Sequence, residues 1–262
     1  MNKEQPYTII TGAGNGIGKE VALKIGKNKN VVCISKSESC KRTANLIGKN
    51  AKFLISDLSI IAEAKKGIVD LLDSDKISVD TFIHCAGTIG ESGPLEKTNS
   101  ENWEKVFNVN LFSGILFVKE LLPVFKKQKF GKFIFFSGGG SSYGYSVLPQ
   151  YSASKTSLVR FVENLEIELS NYENISSHII APGAVNTEMF KEVRKHEADY
   201  GKSSEIRSFS ETEDVVDFVD FLVNHNCKKL SGRLIHIRDD WKEKILNEVD
   251  ISDQLWKLRR IE

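Results

Sequence analysis

Within SGGGSSYGYSVLPQYSASK, residues 137 to 155, two residues have the type and spacing needed for proton transfer. Tyr151 and Lys155 are one helical turn apart, so on a helix both project from one face. A tyrosine hydroxyl ordinarily titrates near pH ~10 and is a poor acid or base at neutrality. An adjacent lysine ammonium stabilises the phenolate, so the phenol can exchange a proton with a substrate oxygen. A hydroxyl just upstream would steady that oxygen, and here Ser137, Ser141 and Ser142 flank the consecutive glycines Gly138, Gly139 and Gly140. By strand alternation Ser137 faces opposite to Gly138. A glycine run adopts backbone conformations closed to other residues, so it can re-aim a neighbour or present a main-chain N–H to an oxyanion. Ser137 and Ser141 are the candidate hydroxyl donors.

A second feature could hold an anion. Thr11 ends an apolar, β-branched run and is followed by Gly12, Gly14, Asn15, Gly16, Ile17 and Gly18 before a helix-like segment. Glycines allow a tight turn and close approach of the backbone to a pyrophosphate. The helix that follows offers free N–H groups and the positive end of its dipole. The elements that must position both features alternate regularly. Strand-like runs occupy residues 7–11, 31–35, 51–56, 81–84, 132–136, 176–181 and 233–237. Several are continuously apolar, as parallel strands covered on both faces are. Between them, Ile61, Ala64, Ile68, Leu71 and Leu72 repeat at helical spacing, as do Leu158, Phe161, Val162, Leu165 and Leu169. Ser210 to Glu213 resembles a capping box ahead of another helix. The expected architecture is α/β: a doubly wound parallel sheet of about seven strands with helices on both faces. No repeat or linker divides residues 1–262, so one domain is expected. The polar stretch Asn186 to Ser208 and the tail after Arg238 stand outside the alternation.

Five segments, in order, carry a resemblance to the short-chain dehydrogenase/reductase family. Thr11, Gly12, Gly16 and Gly18 match its TGxxxGxG; His84-Cys-Ala-Gly87 is similar to its NNAG; Asn110 matches its helix asparagine. Tyr151-Ser-Ala-Ser-Lys155 matches YxASK, and Pro182-Gly-Ala-Val-Asn-Thr187 matches PGxVxT. The resemblance covers residues 6 to 238 and implies a Rossmann-type fold. It also implies hydride transfer between a nicotinamide cofactor and a carbonyl or alcohol substrate, with Tyr151 as general acid/base. By family position Lys155 also holds the nicotinamide ribose, Asn110 holds a water in a proton relay toward Lys155, and Thr187 meets the carboxamide. Asp57, with Leu58 after it, contacts the adenine, while Cys85, Ala86, Gly87, Pro182, Gly183 and Val185 border the cofactor. At the end of the second strand, Ser35 takes the place of the acid that NAD users carry, and Lys36 follows it. NADP(H) is therefore favoured over NAD(H). Lys41 and Arg42 add positive charge, and Glu38 is the acid that points the other way.

The chain also departs from the family pattern. Gly138 and Gly139 stand at the two positions where the family's serine is usual, and Cys85 replaces the second asparagine of NNAG. These departures leave open a dinucleotide-binding sensor or scaffold without catalysis. A nucleotide-sugar epimerase or dehydratase fits less well, because the first turn differs and the chain is short for it. Residues 188–208 are expected to cover the substrate, and residues 239–262 form a C-terminal extension. The pattern of that tail is similar to family members acting on sugars of bacterial surface polysaccharides. The expected assembly is a homodimer or homotetramer.

Composition narrows the remaining classes. The chain has 262 residues, 40% of them hydrophobic and 27% charged, with a formal net charge of +1. No global field draws it to nucleic acid or to an anionic membrane. Its longest apolar runs are strand length, too short to span a bilayer. The four cysteines, Cys33, Cys40, Cys85 and Cys227, form no metal-ligand spacing and read as reduced packing residues. Nothing at the start resembles a signal peptide, so the cytoplasm is expected.

Overall fold

The apolar runs become strands β1 (Tyr7–Thr11), β2 (Asn30–Ser35), β3 (Ala51–Ile55), β4 (Val79–His84), β5 (Gly131–Phe136), β6 (Ile175–Ala181) and β7 (Leu234–His236). A computed structural model describes residues 5–73, 77–138, 140–145, 147–200, 208–246 and 251–260. Gly139 and much of the end of the expected substrate-covering segment, 201–207, therefore lie outside the described residues. All neighbouring strands pair in parallel, in the order β3-β2-β1-β4-β5-β6-β7. The order reverses between β1 and β4. At such a switch point the loops leaving the strand ends diverge to opposite faces and open a crevice.

Helices α1 (Gly16–Ile25), α2 (Ser39–Ile47) and α8 (Thr212–Asn224) cover one face. The other is covered by α3 (Ile61–Asp73), α5 (Ser113–Gln128) and α6 (Pro149–Glu168). Side chains alternate between the two: Ile9, Phe82, Phe133 and Phe135 face the second layer, while Ile10, Ile83, Ile134 and Phe136 face the first. Both sides are thus buried, which is why these strands read as continuous apolar runs.

Two local expectations are corrected. Arg233 and Ile237 fall outside β7, because Arg233 turns toward the tail and donates to the carbonyls of Ser252 and Leu255. The capping box does not form: α8 starts at Thr212, its N-cap residue Glu211 makes no side-chain cap, and Ser210 Oγ is buried without a partner. Helix α4 (Ser100–Phe107) runs through a π turn at Asn108–Phe112 into α5. By length and composition alone that stretch is long and apolar enough to cross a membrane, a test that buried core helices also pass. Its apolar residues Leu116, Phe117, Val118, Leu121 and Phe125 are instead buried in the sheet-covering layer.

Candidate active site

The strand ends at the switch point open into one cleft of about 1150 Å³. The turn after β1 forms one wall. Gly12 and Gly16 have φ of 71° and 53°, in the left-handed region that favours glycine. A Cβ on Gly12 would lie 2.7 Å from the Ala86 backbone N, so only glycine lets the β1 turn pack on the loop after β4. Asn15, at the N-cap of α1, makes no side-chain cap, and the first turn of α1 carries no acid. The N–H groups of that turn, with the positive end of the helix, make an anion seat.

At the end of β2, a Cβ on Gly14 would meet Ser39 Oγ at 2.0 Å, so the start of α2 closes directly on the glycine turn. Ser39 Oγ lies 3.1 Å from Ser35 Oγ and 2.9 Å from Ser37 Oγ, and the Cys40 N–H donates to Ser35 Oγ at 3.2 Å. These three hydroxyls and exposed Lys36 line the cleft together. Ser37 and Ser39 were not anticipated, although their alternation with Ser35 in SKSES was a readable signal. At the end of β3, Asp57 and Leu58 also line the cleft, where Asp57 Oδ1 accepts from the Ser59 N–H at 2.9 Å.

At the other end of the cleft, the start of α6 brings Tyr151 and Lys155 onto the end of β5. Lys155 Nζ donates to the Phe136 carbonyl at 2.8 Å and lies 5.9 Å from the centre of the Tyr151 ring. Burial pushes the Lys155 ammonium down to about 8, which leaves it mostly charged at neutral pH. Burial, with a smaller contribution from Tyr143, pushes the Tyr151 phenol up to about 12, so without a bound cofactor it is a proton donor. Ser137 Oγ donates to Ser141 Oγ at 2.8 Å, and both hydroxyls are buried beside the cleft.

The expected cofactor residues from Gly12 to Gly18, Ser35, Lys36, Asp57, Leu58, Cys85 to Gly87, Pro182, Gly183, Val185 and Thr187 all line this one cleft. Thr187 also caps α7 (Glu188–Asp199) by accepting from the Phe190 N–H. Two expectations are placed differently. Thr11 is fully buried: its Oγ1 accepts from the Ala86 N–H at 3.3 Å and lies 2.9 Å from His84 Nδ1. Asn110 is also fully buried; its Oδ1 accepts from the Thr88 N–H, and its Nδ2 donates to the Thr88 carbonyl and Ser154 Oγ. Its amide therefore clamps the loop after β4 to α6 rather than reaching into the cleft.

His84 was missed as a working residue. Its Nε2 lies 3.1 Å from the Val109 carbonyl, which can only accept, so Nε2 carries the proton and Nδ1 accepts from the Thr11 hydroxyl. One imidazole thus ties the glycine turn, the loop after β4 and the π turn together. Burial first, then the Lys155 charge, push it down to about 3, so it is neutral.

A dinucleotide crevice at the switch point, with a tyrosine–lysine pair at its far end, defines a nicotinamide-dependent oxidoreductase of the doubly wound class. The family model for short chain dehydrogenase matches residues 6–198, and the chain belongs to that family. It is 28% identical over 240 residues to 3-oxoacyl-[acyl-carrier-protein] reductase FabG of Buchnera aphidicola subsp. Acyrthosiphon pisum, covering 90% of this chain and 97% of that one. Dehydrogenase/reductase SDR family member 4 of Sus scrofa is 25% identical, covering 88% of this chain and 85% of that protein. Among solved structures, actinorhodin polyketide ketoreductase with NADPH superposes with a TM-score of 0.80 at 22% identity, over 89% of this chain and 95% of that chain. The 3-ketoacyl-(acyl-carrier-protein) reductase of Brucella melitensis complexed with NADH gives 0.77 at 22%, over 88% and 96%.

The residues present fit a dinucleotide. The open first turn of α1 suits the pyrophosphate, and Ser56, whose buried Oγ has no partner, lines the same cleft beside Asp57.

Proposed function

We propose that the protein interconverts a small carbonyl compound and its alcohol, with NADP(H) preferred over NAD(H) and Tyr151 as the general acid/base. The observation that carries this reading is the juxtaposition of Tyr151 and Lys155 at one end of a cleft whose other end is the glycine turn. When bound, the nicotinamide supplies or accepts the hydride. The chain's own residues do the rest. In the reducing direction the protonated Tyr151 hydroxyl gives its proton to the substrate oxygen as charge builds there. The Lys155 ammonium, fixed by the Phe136 carbonyl, stabilises the phenolate left behind. The paired hydroxyls of Ser137 and Ser141 are the donors for the substrate oxygen.

The chamber around Tyr151 supports a substrate with an apolar flank. Tyr151, Met189 and Val193 all pack against the buried cluster of Ile89, Val147 and Leu148. The Tyr145 hydroxyl bonds the buried Glu197 carboxylate, so Tyr145 offers its ring to the same cluster. This apolar flank favours a ketone with an apolar substituent over the sugar-related reading from the tail. Helix α7 supplies Met189 and Val193 and is the substrate-covering element. Self-association through the outer sides of α5 and α6 is proposed because Val124 and Ile167 are exposed there; sedimentation showing a monomer alone would overturn it.

The decisive assay measures oxidation of NADPH and NADH against aryl and alkyl ketones and keto-sugars. Turnover with the apolar ketones, falling about 10²-fold or more in Tyr151→Phe with NADPH binding retained, is expected. Equal turnover by Tyr151→Phe would sink the assignment.

A further inference from the structure

Gly138 lacks the usual reason for being a glycine. Its φ is outside the left-handed region, unlike that of Gly140 at 83°, so its backbone is open to any L-residue. What excludes a side chain is Tyr151. A Cβ on Gly138 would lie 2.0 Å from the Tyr151 hydroxyl oxygen, 2.8 Å from Cζ and 3.1 Å from Cε1. The three atoms nearest that missing Cβ all belong to Tyr151. The phenol therefore occupies the space that a side chain at position 138 would fill.

The ring is held there. Its base is fixed on α6, where Lys155 is anchored to the Phe136 carbonyl, and Tyr151 packs against the buried cluster of Ile89, Val147 and Leu148. Two residues on from Phe136, any Cβ would push the hydroxyl away from the end of β5. The buried Ser137 and Ser141 hydroxyls stand on either side of this vacancy in sequence and bond each other.

We infer that Gly138 is a positioning residue: the absence of a side chain seats the Tyr151 hydroxyl on the end of β5, with the Ser137–Ser141 pair as the accompanying donors. This inference rests on the reading that Tyr151 exchanges the proton. It makes the glycine a working part rather than a lost serine, so adding a serine back at 138 harms the enzyme.

Gly138→Ala and Gly138→Ser separate the alternatives. Both are expected to lower kcat at least tenfold, with the KM and Kd for NADPH changed less than twofold, and to shift the basic limb of the kcat–pH profile. Wild-type or higher kcat in Gly138→Ser overturns the inference, as does a matching loss of NADPH affinity, which marks general misfolding. Thermal melting tests the contact without turnover. In a Tyr151→Phe background the oxygen of the 2.0 Å clash is gone, so Gly138→Ala should lower the Tm less than it does in the wild type. Equal Tm shifts in the two backgrounds overturn the inference. If the wild type turns over no carbonyl, the reading of Tyr151 fails on its own and the melting comparison still decides the contact.

Discussion

At the end of β2 the Ser39 hydroxyl stands within hydrogen-bonding distance of those of Ser35 and Ser37, with the exposed Lys36 among them. A ribose diol is held by a carboxylate at the end of this strand, whereas a ribose phosphate needs hydroxyl donors and positive charge. The cluster carries hydroxyls and a lysine and places no carboxylate at position 35. On the proposed NADP(H) preference, a single carboxylate at position 35 should shift the balance toward NAD(H). In Ser35→Asp the new oxygen can still accept from the Cys40 N–H, so the local turn is kept. Its charge would repel a phosphate and attract a diol. The kcat/KM ratio of NADPH to NADH is expected to fall at least tenfold, about 1.4 kcal/mol in differential binding. An unchanged ratio would show that Ser35 does not face the ribose. The juxtaposition of Tyr151 and Lys155 was legible because their spacing alone puts them on one helical face. The vacancy at Gly138 was not, since a missing side chain gives no signal about which neighbour fills the space.

At the scale of elements, the π turn at Asn108–Phe112 aims Asn110. Its amide makes three hydrogen bonds that join the loop after β4 to α6 and so hold Gly87 beside Lys155. Asn110→Ala leaves the N–H and carbonyl of Thr88 without these partners. The expected cost is about 1–3 kcal/mol in urea unfolding, with a fall in kcat because Lys155 and the loop lose their common brace. Full stability in the alanine variant would show that water replaces the amide at no cost. The seven strands were legible to within a residue or two, because strands covered on both sides must be apolar throughout. The π turn was not. The stripe of Trp103, Phe107, Gly114 and Leu121 keeps ordinary helical spacing across it, so nothing in the pattern marks the wider turn. The partners of Asn110 were hidden for a related reason: spacing placed it on a helix, but Thr88 and Ser154 lie far from it in sequence.

Across the whole molecule, two histidines are sealed in the fold without charge, and their cost is set by pH. His84 lies at the switch point; His178, in β6, lies with Nε2 2.9 Å from Ser176 Oγ. Burial first, then a lysine charge, Lys155 for His84 and Lys132 for His178, push each down to about 3. In the unfolded chain both titrate near ~6.5. Between those values the unfolded state binds two protons that the folded state refuses, so stability falls as pH falls. Each histidine contributes a slope that approaches about 1.4 kcal/mol per pH unit, and a loss of about 2 kcal/mol between pH 7 and pH 5. The stability these groups give is fully present above the unfolded value and disappears through the acid window. His178→Gln keeps an amide able to bond Ser176 and cannot protonate there. Urea unfolding at pH 7 and pH 5 should therefore show a pH-linked loss smaller by about 2 kcal/mol than in the wild type. An identical loss in the variant would mean that His178 takes up its proton in the folded state. Because His84 binds Thr11 and the Val109 carbonyl, the same linkage reaches the active site. Protonating Nδ1 would force its bond with the Thr11 hydroxyl to reverse, leaving the Ala86 N–H in competition for the same oxygen.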